Sequence, residues 1–131
     1  MAGKWLQPDP SQGDADTIGG YMRVHARPAA FEGSDGVSYS VSIETDRTGE
    51  SDRPFAAWFL FLRWRRVGQQ GVEGHLETPY LTWGATAGEA QEALGAFSLS
   101  ECRAALEHCL QDAAAEAPPA RKWWDVMRDE S

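Results

Sequence analysis

Hydrophobic and polar residues alternate over two segments in the first half of the chain. In residues 37–44 the odd positions are apolar and the even positions are serines or a glutamate, and residues 21–27 show a shorter alternation. A period of two is typical of a strand with one buried face. Because the turn-forming sequence Ser-Asp-Gly lies at 34–36, the pattern predicts a β-hairpin with strands at 21–27 and 37–44.

Residues 55–66 form the most apolar stretch, and their period is ambiguous. Phe55, Trp58 and Phe59 fit the spacing of a helical face, and Pro54 would suit the first turn of a helix. The density of aromatic residues favours a central strand that is apolar on both faces. We interpret the stretch as a strand and keep the helix as the alternative.

A fourth strand is predicted over residues 75–83, where Pro79 indicates an edge or a bulge. The period then changes, because Thr86 and Ser98 are each followed three residues later by glutamate, the pattern of a helix-capping box. These caps predict helices over 87–95 and 99–115. The second helix has one apolar stripe, predicted to be buried: Leu99, Cys102, Leu106, Cys109, Leu110 and Ala113.

Strands in the first part and helices in the second indicate an α+β fold of two layers. We expect a four-stranded, meander-like antiparallel sheet followed by two helices packed on one face. Residues 1–19 are rich in Pro, Asp, Gly and Ser without a period, which predicts a flexible lead-in. Residues 20–116 form the single predicted domain, and the Trp-rich segment 117–131 is expected to dock on the domain or on a partner.

If both helices pack on one side of the sheet, the other face is exposed to solvent. Since a strand projects its side chains alternately, half of the aromatic run must lie on that face, and large exposed apolar patches mark interaction sites. A second copy of the chain, the chain's own ends, or a ligand or foreign partner would cover it. The predicted interface residues are Trp58, Leu60, Leu62, Trp64, Trp123 and Trp124.

The formal net charge is −8, and it is unevenly distributed. Residues 67–120 hold one basic and eight acidic residues, whereas residues 21–66 hold seven arginines and six acidic residues. An acidic chain repels the phosphate backbone, so we do not expect nucleic acid as a partner. Three acidic residues of the second helix form either a solvated face or a surface for a basic protein partner: Glu101, Glu107 and Asp112.

Chemical motifs are scarce. No nucleophile motif or phosphate-binding loop is present, which favours a non-enzymatic protein–protein interaction module over an enzyme. We expect this module to form a homodimer through the aromatic face of the sheet.

The alternative function is a small-molecule site or a small enzyme, with a pocket lined by tryptophans. Titratable groups on predicted neighbouring strands, Glu77 among them, would supply its polar chemistry, since a pocket combines an apolar lining with a few polar groups. The predicted pocket residues are His25, Glu44, His75, Tyr80 and Trp83, with Trp58 and Trp64 as further lining.

Neither a metal nor a cofactor is expected. Cys102 and Cys109 would lie about 10 Å apart along one helix, too far for a disulfide, and the three histidines are scattered. The longest purely apolar run, Phe55 to Leu62, is far shorter than the roughly 20 residues of a membrane helix. No secretory signal pattern is evident at the first residues. We therefore expect a cytoplasmic protein without a membrane span.

One segment resembles a known family locally. Residues 79–94 run from a strand through Gly84-Ala85-Thr86 into a helix bearing Glu89-Ala90, and this passage is similar to that of antitoxin domains of the HicB-like class. The resemblance covers sixteen residues, and the aromatic strand before it and the second helix after it depart from the pattern. It implies a protein partner and assigns no family.

Overall fold

The computed structural model describes residues 8–64 and 72–116. A short 3-10 turn at Pro10–Gln12 comes first. Among these residues, no helix combines the length and the apolar character needed to cross a membrane. The helices and strands follow in this order: α1 (Ile18–His25), β1 (Ala30–Glu32), β2 (Ser38–Arg47), β3 (Phe55–Trp64), β4 (Val72–Glu77), β5 (Thr82–Gly84), α2 (Ala87–Gly95) and α3 (Leu99–Glu116).

The strands form one antiparallel sheet in which β3 is central. β1 pairs with β2, and β2 pairs with β3 from Tyr39 to Arg47. On its other edge, β3 pairs with β5 through its first residues and with β4 through its last ones. Because α2 and α3 follow the strands and pack on one face, the predicted α+β fold is confirmed.

The strand predicted over 75–83 is split into β4 and β5 by a bulge. Thr78 N–H donates to the Phe59 carbonyl at 3.1 Å, and the next backbone bond joins Leu81 N–H to the Ala57 carbonyl at 2.9 Å. Glu77 pairs with Leu60 and Thr82 pairs with Ala57, so four residues of this segment lie opposite two residues of β3, which makes an enlarged β-bulge. The bulge contains Pro79, as predicted, since proline has no N–H to donate to the ladder.

The ambiguous apolar run is a strand, as predicted, and its pairing explains why its residues are apolar at consecutive positions. Ala57, Phe59 and Phe61 have no exposed surface and point toward the helices. Of the intervening residues, Trp58, Leu60 and Leu62 point to the opposite face and are partly buried.

The strand predicted over 21–27 is wrong, because most of these residues belong to α1. The Thr17 hydroxyl caps the helix by accepting the Gly20 N–H at 3.0 Å. Ile18 is fully buried, and Met22 follows it by one helical turn and packs on the same core. Without Ile18, which the prediction placed in the lead-in, so short a segment fits either period. The predicted end of the lead-in thus falls inside α1.

The hairpin turn is confirmed, but its first strand is β1 rather than 21–27. Gly33 N–H donates to the Val37 carbonyl at 2.8 Å, and Gly36 N–H donates to the Gly33 carbonyl at 2.9 Å. Gly36 has φ +79°, a left-handed conformation that glycine adopts without strain. β1 has only three residues, so it offers too short a pattern to be predicted from alternation.

The predicted helix bounds agree with α2 and α3 to within one residue. Thr86 Oγ1 accepts the Glu89 N–H at 3.1 Å, as the first capping pattern predicts. At the second cap the bonds are reciprocal: Glu101 N–H donates to Ser98 Oγ at 3.0 Å, and Ser98 N–H donates to Glu101 Oε1 at 2.8 Å. These bonds satisfy backbone amides that have no partner inside the helix.

A single hydrophobic core joins the two layers. Cys102, Leu106 and Cys109 of the predicted α3 stripe are buried, whereas Ala113 at the end of that stripe is exposed. The largest fully buried side chains come from both layers: Ile18, Tyr39, Val41, Phe59, Phe61, Leu94, Cys102 and Leu106.

Candidate functional site: the open face of the sheet

The face of the sheet that points away from the helices, called the open face below, carries a row of large apolar side chains on β3. Phe59 and Phe61 point into the core, so the even positions of β3 point to the open face. Every helix within residues 8–64 and 72–116 packs on the core side, and none covers this row. We call the row the apolar stripe: Trp58, Leu60, Leu62 and Trp64.

The apolar stripe is accessible along its length. Trp64 is 39% exposed, and Val72, which pairs with it from β4, is 41% exposed. The other three stripe residues are partly exposed. Four of the six predicted interface residues therefore lie together on one surface, while Trp123 and Trp124 lie outside the described residues.

Polar rows border the apolar stripe on both sides. On β2, Ser40 and Ser42 lie directly opposite the two leucines of the stripe. On β4, His75 and Glu77 lie opposite the same leucines from the other side. An apolar centre with a polar margin is the arrangement found in protein–protein interfaces.

Both indole N–H groups of the stripe are bonded to these rows. Trp64 Nε1 donates to Ser40 Oγ at 2.8 Å, and Trp58 Nε1 donates to Glu77 Oε1 at 3.3 Å. With their polar atoms satisfied within the face, the two rings present apolar surface outward. The alternation over residues 37–44 places Ser40 with the polar residues of its strand, and the register opposite Leu62 brings it beside the stripe.

The bulge and β5 add two aromatic residues near one end of the stripe. Tyr80 is 41% exposed and packs on Trp58, with 5.4 Å between ring centroids. Trp83 pairs with Ala56, an even position of β3, and so lies on the open face as well. The Arg53 guanidinium lies 4.4 Å from the Trp83 ring centroid, within the range of a cation–π contact.

The predicted pocket residues are divided between two parts of the molecule. His25 lies in α1, with its ring 4.2 Å from that of Tyr21, and does not join the others. Its prediction depended on the strand at 21–27, which the structure replaces with a helix. Four of the five lie on or beside the open face: Glu44, His75, Tyr80 and Trp83.

Two cavities formed by described residues lie on the helix side of the sheet. One, of about 680 Å³, lies between α3 and the β4–bulge segment, and the other, of about 820 Å³, lies between α1, α2 and β2. No tryptophan lines either cavity, so neither is the Trp-lined pocket of the alternative function.

The three acidic residues of α3 have different surroundings. Glu107 is half-buried, and its Oε2 accepts the Ser34 N–H at 2.9 Å. Glu101 caps α3, and Asp112 lies 3.5 Å from His108 through its Oδ2. Only Glu101 and Asp112 share a surface, since both line the cavity beside β4.

Burial makes the two thiols poor nucleophiles. It raises the pKa of Cys102 to about 12, and burial followed by the Asp112 carboxylate raises the pKa of Cys109. A thiolate is the reactive form of cysteine, so both side chains act as core residues. In the part of the chain that the structure describes, no three His, Cys, Asp or Glu residues are grouped to hold a metal ion.

Comparisons of the chain with models of protein families, with curated proteins and with solved structures gave no match.

Proposed function

We propose that this protein is a non-enzymatic protein–protein interaction module that forms a homodimer by packing the open faces of two sheets together. The observation that carries the proposal is the apolar stripe, which no described helix covers. Large contiguous apolar surface of this kind marks interaction sites in proteins that fold in water.

The size of the open face suits a contact at the small end of specific interfaces. β2 and β3 have ten residues each, β4 has six, and β1 and β5 have three each, and one residue covers about 16 Å² of a sheet face. The flat area of the strands is then about 500 Å², below the roughly 800 Å² of surface that each partner buries in a standard interface. Two sheets can pack in this way about 10 Å apart.

A second copy of the chain fits the face because the polar rows differ in chemistry. With a two-fold axis along β3, the serine row of one copy faces the His75–Glu77 row of the other. Ser42 then lies opposite Glu77 of the partner subunit, where its hydroxyl can exchange its bond to Glu44 Oε2, at 3.1 Å, for one to that carboxylate. The apolar stripes meet at the centre, as the isologous contact of a two-fold dimer requires.

Substitution of Leu60 tests this proposal. Leu60→Glu places a carboxylate at the centre of the interface, and we expect dimerisation to weaken by about 100-fold or more, equivalent to about 3 kcal/mol. Ser100→Glu is the matched control, since Ser100 is exposed on α3. Light scattering after size exclusion measures the masses, and circular dichroism checks that both variants fold.

If Leu60→Glu leaves the dimer intact, the open face is not the interface. A wild-type monomer whose tryptophan fluorescence responds to a small ligand would instead support the alternative of a ligand site beside Trp58, Tyr80 and Trp83.

A further inference from the structure

The cavity beside β4 is a groove with an apolar floor and an acidic rim, on the opposite side of the sheet from the open face. Its floor includes Leu76, Leu81 and Phe97, and its volume is about 680 Å³. Glu101 and Asp112 stand on the rim and are exposed. The described lining contains no lysine or arginine.

The residues that line the groove indicate which kind of segment would bind there. Apolar side chains in the groove would remove Leu76, Leu81 and Phe97 from water, and basic side chains would lie beside the two rim carboxylates. His108 also lines the groove, within 3.5 Å of Asp112. The best match is a short segment that is both aromatic and basic.

The chain itself contains such a segment directly after α3. Residues 121–128 include two adjacent tryptophans, three basic residues and one acidic residue. Pro118 and Pro119 lie between the end of α3 and this segment. The groove begins at Ala113, close to the point where α3 ends.

The segment is long enough to reach the whole groove. From Glu101 to Glu116 the helix rises about 22 Å. Residues 117–124 in an extended conformation span about 26 Å, so a chain that reverses direction after α3 can place its tryptophans anywhere along the groove. Reaching the open face instead would require a path around the edge of β4.

We propose that residues 117–131 fold back into the groove between α3 and β4 of the same chain. Trp123 and Trp124 cover the apolar floor, and Arg121 and Lys122 lie beside the acidic rim. The tail then packs between α3 and β4 on the helix side of the sheet. It leaves the open face uncovered.

Hydrogen exchange of the full chain, followed by mass spectrometry, tests this proposal. We expect amides in 121–127 to exchange more than about tenfold slower than in an unstructured peptide of the same sequence. Asp112→Lys should remove most of that protection, because it reverses one rim charge. Asp52→Lys is the control, with the same charge change at an exposed position of the β2–β3 loop.

Exchange of 121–127 at the unstructured rate in the wild type would overturn the proposal. So would protection that survives Asp112→Lys. The Leu60→Glu variant separates this proposal from dimerisation: protection should persist in it, whereas its loss there would place the tail on the open face or in a partner subunit.

Discussion

The hydroxyl of Tyr39 lies at the end of a polar network in an otherwise apolar core. It donates to Asp35 Oδ2 at 2.7 Å, and Arg63 lies 3.7 Å from the same carboxylate and 2.7 Å from Glu73. Burial, then the hydrogen bond and charge of Asp35, raise the pKa of Tyr39 to about 12. The network joins the β1–β2 turn to β3 and β4.

Tyr39→Phe removes this hydroxyl and should lower the free energy of unfolding by about 1 kcal/mol at neutral pH. The unfolded tyrosine loses its proton near pH 10.0 and the folded one near pH 12, so the folded state binds the proton more tightly. Wild-type stability should therefore fall as pH rises above about 10. Urea unfolding of both proteins at several pH values should show the advantage of the wild type shrinking there; a constant difference would contradict the pKa argument.

Gly20 and Gly74 provide a matched pair of glycine positions. A Cβ atom at Gly20 would overlap the Asp14 carbonyl group, whereas one at Gly74 would meet no atom within 4 Å. We expect Gly20→Ala to cost about 1–3 kcal/mol and Gly74→Ala to be neutral or slightly stabilising. Thermal unfolding measures both, and equal effects would show that the close approach of Asp14 is unimportant.

At the scale of elements, the β4–β5 bulge depends on Thr78. The Phe59 N–H donates to Thr78 Oγ1 at 3.1 Å, and this hydroxyl donates to the Pro79 carbonyl at 2.8 Å. The side chain thus satisfies a buried backbone amide that the interrupted ladder leaves without a carbonyl partner.

Thr78→Val should cost about 1–3 kcal/mol, because it leaves the Phe59 amide unpaired while preserving the side-chain shape. Thr45→Val on β2 is the control, since within the described residues its hydroxyl makes no hydrogen bond. Chemical denaturation gives the two changes in stability, and equal losses would contradict the role of Thr78.

Two kinds of element were predictable from the sequence: a strand with a long alternation, and helices that have both a capping pattern and an apolar face. β2 has an unbroken period of two, and α2 and α3 have hydroxyl-and-glutamate caps with apolar positions behind them. Helix α1 was not predictable, because its eight residues include two glycines. Its main core contact, Ile18, also follows a polar stretch of the sequence. The error also misplaced His25, whereas the shared face of the four β3 residues followed once aromatic density had favoured a strand, since a strand projects its side chains alternately.

At the scale of the whole molecule, the two layers produce surfaces of different character. The open face is apolar at its centre and polar at its margins, while the groove beside α3 combines an apolar floor with carboxylates. We propose that the first surface binds a second copy of the chain and that the second binds the chain's own basic tail. Both assignments follow from which side chains the helices leave uncovered.

The most direct test of the central claim is the solution mass of the unmodified full chain. We expect light scattering after size exclusion to give twice the monomer mass of 14.4 kDa at micromolar concentration, with a fall toward the monomer on dilution. A mass of 14.4 kDa at every concentration would contradict the proposal that two open faces pack together.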